Sequence, residues 1–92
     1  MLDSIHEECG VFGIYSNKTE DVASQTYVAL YALQHRGQES CGIVVNDDGV
    51  LNHHKNLGLV NQVFDKETLE KLGNGNISIG HVRYSTTGNS NA

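Results

Sequence analysis

Cys9 stands near the start of the chain, and an ionised cysteine is the strongest nucleophile among the common side chains. Its ordinary pKa of ~8.5 keeps it mostly protonated at neutral pH, so it needs a base or a lowered pKa. No histidine lies near it in a spacing that suggests a Cys-His protease pair. A different base becomes available if the peptide bond before Cys9 is cut. The residue then carries a free α-amine with a pKa of ~7.7–8.0, able to accept a proton near neutrality. Thiol and amine belong to one residue, so their positioning costs little entropy. Before cleavage the same nitrogen is an amide and is no base. The structural alternative for Cys9 is a buried strand cysteine ahead of Gly-Val-Phe-Gly-Ile.

Arg83 offers a planar guanidinium, which grips a carboxylate through two parallel hydrogen bonds as lysine cannot. It could equally be a surface salt-bridge arginine. Arg36 could simply favour the C-terminal end of a helix. Cys41 reads as a small core residue, His81 as a packed strand histidine, and Thr86 and Thr87 as turn residues. His53 and His54 are adjacent, so on a strand they point to opposite faces and make no metal pair. There is no Cys-x-x-Cys spacing, and no metal ligands are assigned.

The chain has 92 residues, a single domain at most and close to the size where a core becomes marginal. Its hydrophobic fraction of 38%, supplemented by ten glycines, is that of a folded protein rather than a disordered one. The net charge is −5 and the six basic residues are scattered, which argues against nucleic-acid and membrane-surface roles. A small anionic substrate held by one or two placed arginines remains compatible with that charge. No apolar run approaches a membrane span, and the acidic Met-Leu-Asp-Ser-Ile-His-Glu-Glu start has no signal-peptide core. A cytoplasmic protein with reduced thiols is expected.

These residues must be held by elements that the pattern outlines. Residues 9–16 read as a short buried strand, and Asn17 and Lys18 as a turn. Residues 20–36 read as a helix, with Val22, Thr26, Ala29, Leu30 and Leu33 on one face. Glu20 and Asp21 suit its positive end, and Gly37 its stop. Residues 41–46 and 50–55 pair as strands about a hairpin at Asp47, Asp48 and Gly49. Residues 57–64 are ambiguous between loop and short strand. Residues 65–72 form a short helix with Asp65 as N-cap. Gly73-Asn74-Gly75-Asn76 is a tight turn, 77–84 a strand, and 85–92 polar without a regular pattern. The order β, α, β, β, α, β predicts an α+β domain with a largely antiparallel sheet. Nothing at the end closes that sheet, so the chain reads as cut short.

Three segments together carry a resemblance: Glu-Glu-Cys-Gly-Val-Phe-Gly-Ile at 7–14, Leu-Gln-His-Arg-Gly-Gln-Glu-Ser-Cys-Gly-Ile at 33–43, and Gly-His-Val-Arg-Tyr-Ser-Thr-Thr-Gly at 80–88. Over nearly the whole chain the sequence resembles the class II glutamine amidotransferases, which are N-terminal-nucleophile hydrolases. The resemblance implies an αββα sandwich, here incomplete. It implies a removable leader at 1–8, cleavage between Glu8 and Cys9, and Cys9 as the nucleophile of a glutaminase domain of which 9–92 is the N-terminal part. Arg83 falls on the arginine that holds the glutamine α-carboxylate. Arg36 and Gly37 fall on a loop beside the nucleophile, and Tyr84 and Thr86 flank the glutamine pocket. The match is nearest to members that use the released ammonia to aminate phosphoribosyl pyrophosphate, at the start of purine synthesis. Those members need Mg²⁺, and some carry a 4Fe–4S cluster, both outside this segment. A homo-oligomer is expected.

Sister enzymes that aminate sugar phosphates show Glu-Tyr-Arg-Gly-Tyr-Asp and Arg-Trp-Ala-Thr-His where this chain has Gln-His-Arg-Gly-Gln-Glu and Arg-Tyr-Ser-Thr-Thr, so they are the second choice. A third reading is a catalytically inert folded or self-associating piece. Asn74-Gly75 mimics the family's Asn-Gly oxyanion pair but precedes the arginine motif instead of following it, and so reads as a turn. The oxyanion donors, and the aspartate for the substrate amine, are expected beyond Ala92. Loss of one such donor typically costs ~10²–10³ in rate. These 92 residues alone are therefore expected to hydrolyse glutamine poorly or not at all.

Overall fold

The structure, a computed structural model, describes residues 7–33 and 38–85, with residues 7–9, 38, 84 and 85 described in backbone only. Its elements are β1 (Glu7–Glu20), α1 (Val22–Leu33), β2 (Gln38–Asp47), β3 (Val50–Leu57), α2 (Val60–Val63), α3 (Lys66–Leu72) and β4 (Gly75–Ser85). The four strands form one antiparallel sheet in the order β1-β4-β2-β3. This is the α+β antiparallel architecture that the pattern predicted, and it corresponds to a truncated piece of the N-terminal-nucleophile hydrolase fold.

Several boundaries differ from the sequence reading for local reasons. The Asn17-Lys18 turn is instead an irregularity within β1, where the pairing with β4 shifts between Tyr15 and Glu20. The Ser16 hydroxyl accepts from the Lys18 N–H at 3.3 Å and donates to Glu20, closing a side-chain loop across the irregularity. Glu20 thus ends the strand, and helix α1 begins at Val22. Its first turn is capped by Asp21, whose carboxylate accepts the Ser24 N–H at 3.1 Å. The proposed helical residues 34–36, and Gly37 as its stop, lie outside the described residues. The ambiguous stretch 57–64 contains one helical turn, α2, because Val60 and Val63 share a face and both reach the core. The predicted turn 73–76 is divided. Gly73, at φ 78°, ends α3, while Gly75 and Asn76 already belong to β4. Gly75 is glycine because a methyl there would collide with the Asn46 backbone carbonyl.

Two local expectations hold in detail. Asp48 and Gly49 both have positive φ, 53° and 91°, as a two-residue hairpin between Asp47 and Val50 requires. Asp65 accepts the Thr68 N–H at 2.8 Å, and Thr68 Oγ1 accepts the Asp65 N–H at 2.8 Å, a reciprocal cap.

Helices cover one face of the sheet. Val22, Leu30, Cys41, Ile43, Val45, Val60, Phe64 and Val82 are buried there. Thr26 Oγ1 lies 2.8 Å from Ser78 Oγ and bonds the Val22 carbonyl at 2.8 Å, so the buried hydroxyls that join α1 to β4 are satisfied. Gly80 permits that approach, since a Cβ there would lie 2.5 Å from Thr26 Cγ2 and 2.9 Å from Leu30 Cδ1. The opposite face is bare among the described residues. Alternation brings Val11, Tyr15, Val44, Leu51, Leu57 and Ile79 to it, all exposed. The second sheet of the expected sandwich is not among the described residues.

Candidate active site

The two residues singled out for chemistry are backbone partners on neighbouring strands. β1 is an edge strand and β4 is its neighbour, and in their ladder Cys9 is the register partner of Arg83. Across β4, Arg83 is in turn opposite Ser40 of β2, and Ser40 is opposite Leu57 of β3. One row of backbone positions, Cys9, Arg83, Ser40 and Leu57, therefore crosses the whole sheet. The helix-covered face takes Val82 and Cys41 from the neighbouring positions, so Arg83, Ser40 and Leu57 belong to the bare face. Partners in an antiparallel ladder have Cα atoms ~4.5–5.5 Å apart. Arg83 is exposed.

The next row on the same face is Val11, His81, Gly42 and Lys55. His81 and Arg83 alternate with the buried Val82, a spacing of two that brings both to one side. Residues of these two rows, with Cys41 and Asn56, border a cavity of about 480 Å³, which is lined by Ser40, Cys41, Lys55, Asn56, Leu57, His81 and Arg83. A larger cavity of about 630 Å³ lies elsewhere, between α1 and α3. Its lining includes Asp21, Asp65 and Glu70, so it is unsuited to a carboxylate ligand.

Of the other sequence candidates, Glu8 and Tyr84 are register partners in β1 and β4, and Tyr84 also pairs with Gln38 where β2 begins. Cleavage at Glu8–Cys9 would thus cut β1 within its ladder. Arg36, Gly37 and Thr86 lie outside the described residues. Sequence reading missed Ser40 and Lys55 as neighbours of Arg83. It could have found His81 from its i, i+2 spacing, but the pairings with β2 and β3 are non-local and leave no local signal.

Cys41 is a core residue and a poor nucleophile. It is fully buried, its Sγ donates toward the Gly58 carbonyl at 3.8 Å, and burial pushes its thiol up to about 11. His53 is exposed, whereas His54 lies on the other face, 3.2 Å from the Val63 carbonyl and edge-on to Phe64. Among the described residues no three His, Cys, Asp or Glu side chains converge as a metal site. No described helix is long and apolar enough to cross a membrane.

The four-stranded antiparallel sheet with helices on one face is a truncated piece of the N-terminal-nucleophile hydrolase fold. Sequence comparison narrows it. The chain is 58% identical over 87 residues to the amidophosphoribosyltransferase of Mycobacterium tuberculosis, covering 95% of this chain and 16% of that protein. It is 56% identical over 87 residues to the amidophosphoribosyltransferase of Methanothermobacter thermautotrophicus, covering 94% and 18%. Its structure superposes on that of an allosteric regulatory enzyme of purine biosynthesis with a TM-score of 0.74 at 46% identity, covering 88% of this chain and 17% of the other. It also superposes on the glutamine phosphoribosylpyrophosphate amidotransferase of B. subtilis, solved with ADP and GMP. There the TM-score is 0.68 at 46% identity, with coverages of 83% and 16%. No protein-family model matches the chain. The chain is thus related, along nearly all of its length, to the N-terminal region of the amidophosphoribosyltransferases, and it spans about a sixth of the length of the relatives it matches.

Proposed function

We propose that this chain is the leading part of the glutaminase of an amidophosphoribosyltransferase, with residues 1–8 a leader and 9–92 the start of the glutamine-hydrolysing domain. The observation that supports the reading is the cross-strand pairing of Cys9 with Arg83, the two residues proposed as nucleophile and as carboxylate-binding group. Relatedness to amidophosphoribosyltransferases at 56–58% identity favours this assignment over sugar-phosphate amination.

In this mechanism the bond between Glu8 and Cys9 is cut first, which frees the Cys9 amine. Arg83 takes the α-carboxylate of glutamine. The amine accepts the thiol proton, and the sulfur attacks the side-chain amide carbon to give a tetrahedral oxyanion. The C–N bond breaks, the nitrogen takes the proton from the ammonium of Cys9, and ammonia leaves a glutamyl thioester. Water, deprotonated by the same amine, attacks the thioester and releases glutamate and the thiol. Arg36, Gly37, Tyr84 and Thr86 border the substrate, while the oxyanion donors come from residues outside this chain. Ammonia then displaces pyrophosphate from phosphoribosyl pyrophosphate at a second domain.

Mg²⁺ serves that second reaction, and a 4Fe–4S cluster is a feature of some such enzymes. The described residues offer neither a fitting donor set, since the buried Cys41 thiol stands apart from other ligands, and no step above runs through a metal. The full protein is assigned to the cytoplasm as a homo-oligomer, acting on small molecules without nucleic acid or membrane. The test is glutamate release by the full-length protein, with phosphoribosylamine formation when phosphoribosyl pyrophosphate is added. Loss of both with Cys9→Ala supports the reading, and retention of glutaminase activity by that variant overturns it.

A further inference from the structure

The Asn74-Gly75 pair has no part in the glutaminase reading, yet the fold puts its two residues under opposite constraints. Gly75 is fixed. It opens β4 in register with Glu20, and a Cβ there would stand 2.3 Å from the Asn46 carbonyl oxygen and 2.8 Å from Val45 Cγ1, so only glycine fits. Asn74 is free. It sits between Gly73, which ends α3, and the first residue of β4, and it is exposed. Its side chain makes no hydrogen bond among the described residues. The other described asparagines differ. Asn46 Oδ1 accepts the Gly49 N–H at 3.0 Å, Asn52 Nδ2 donates to the Leu72 carbonyl at 3.3 Å, and Asn56 Oδ1 accepts the Leu57 N–H at 2.8 Å. Asn76 has a buried Oδ1 and precedes the β-branched Ile77. Asn17 and Asn61 are exposed but precede Lys18 and Gln62. Asparagine is chemically labile, and a following residue without a Cβ crowds the attack on its side chain least.

We propose that Asn74 is a site of spontaneous modification, converting to aspartate and isoaspartate through a succinimide with Gly75. The Gly75 nitrogen gives up its proton and bonds to Asn74 Cγ. The Cγ–Nδ2 bond breaks, and the amide group leaves as ammonia, which carries that proton. Water then opens the ring at either carbonyl. One opening carries the main chain through the side-chain carbon and lengthens it by a methylene just before Gly75. Gly75 has no room to shift, because the Asn46 backbone lies against it. Either opening adds a carboxylate to a cavity that Asn74 borders together with Asp21, Asp65 and Glu70, against the single cation Lys66 in that lining. Modification therefore loosens the start of β4. The proposal is independent of the glutaminase reading.

The experiment ages full-length protein at mildly alkaline pH and follows the tryptic peptide Leu72–Arg83 by fragment-resolved mass spectrometry, with isoaspartate read by an isoaspartyl methyltransferase. A synthetic peptide of the same segment is the unfolded reference. Asn74 is expected to convert before every other asparagine of the chain, and Asn74→Ser is expected to lose the methyl-accepting signal while unfolding at the wild-type urea midpoint. The converted fraction is expected to unfold at a lower midpoint. If Asn74 stays intact in the protein while the peptide converts fully, or another asparagine converts first, the proposal is overturned. A converted fraction with the wild-type midpoint overturns the consequence for β4.

Discussion

Cys9 and Arg83 face each other across the β1–β4 ladder, far apart in sequence yet paired by register. The whole sheet serves this juxtaposition. β4 is held from one side by α1 through the Thr26–Ser78 contact and from both edges by hydrogen-bonded strands, so its arginine is presented from a rigid element.

Arg83 should be hard to replace. Arg83→Lys keeps the charge and loses the two-pronged geometry, and Arg83→Met loses both. A charge-assisted pair is worth ~1.5–3 kcal/mol, so the Met variant should lose about 10- to 100-fold in kcat/KM for glutamine, mostly through KM. Lysine should recover only part of this. Glutamine saturation curves check it; an unchanged KM in Arg83→Met would remove the arginine from the substrate site.

Gly80 joins the site to the core. A methyl at this position meets Thr26 and Leu30 at 2.5–2.9 Å, and both are fully buried with no room to retreat. Gly80→Ala should therefore destabilise the fold by about 1–3 kcal/mol, the usual cost of overpacking. Urea unfolding should show a lower midpoint at similar slope. A midpoint equal to wild type would mean that α1 does not lie against β4 this closely.

Cys41 supplies a pH test of the core. Its thiol rises from 9.0 to about 11 on folding because burial disfavours the thiolate. The unfolded chain then loses its proton first as pH climbs. This contribution is constant below pH 9, and stability falls as pH rises from 9.0 to about 11, by roughly 2–3 kcal/mol. Cys41→Ala should flatten that slope, as read from denaturation midpoints across the alkaline range. Native Cys41 should also resist thiol reagents that an exposed cysteine accepts.

Much of the fold is legible in the sequence because it is locally encoded. The Asp48-Gly49 hairpin, the Asp65 cap and the alternation of Ile77 to Val82 depend on neighbours a few residues away. Less legible were features settled at long range. β1 runs on past Asn17 and Lys18 because Ser16 and Glu20 stabilise an irregular strand, where local propensity signals a turn. Gly75 lies in a strand because the Asn46 backbone passes against it, a contact no turn rule contains. For the site, residue types alone made Cys9 ambiguous between nucleophile and core, and Arg83 between ligand and surface pair. The family resemblance chose among these, and the cavity partners Ser40 and Lys55 emerged only from strand register.

The leader provides a separate test. Glu7 and Glu8 continue β1 along β4, opposite Ser85 and Tyr84, so the intact chain holds the Cys9 nitrogen as an amide inside a ladder. Full-length protein with Cys9→Ser is expected to process slowly and Cys9→Ala not at all, since alanine has no atom to attack the Glu8 carbonyl. Mass spectrometry of the N-terminus reads this directly. Removal of the leader from the alanine variant at the wild-type rate would assign cleavage to another protease.

The most direct measurement is the intact mass of full-length protein before and after exposure to the diazo-ketone analogue of glutamine. The account predicts loss of Met1–Glu8 and one adduct, mapped to Cys9. Protein that keeps its leader and remains unlabelled would contradict the N-terminal-nucleophile mechanism and leave only the fold.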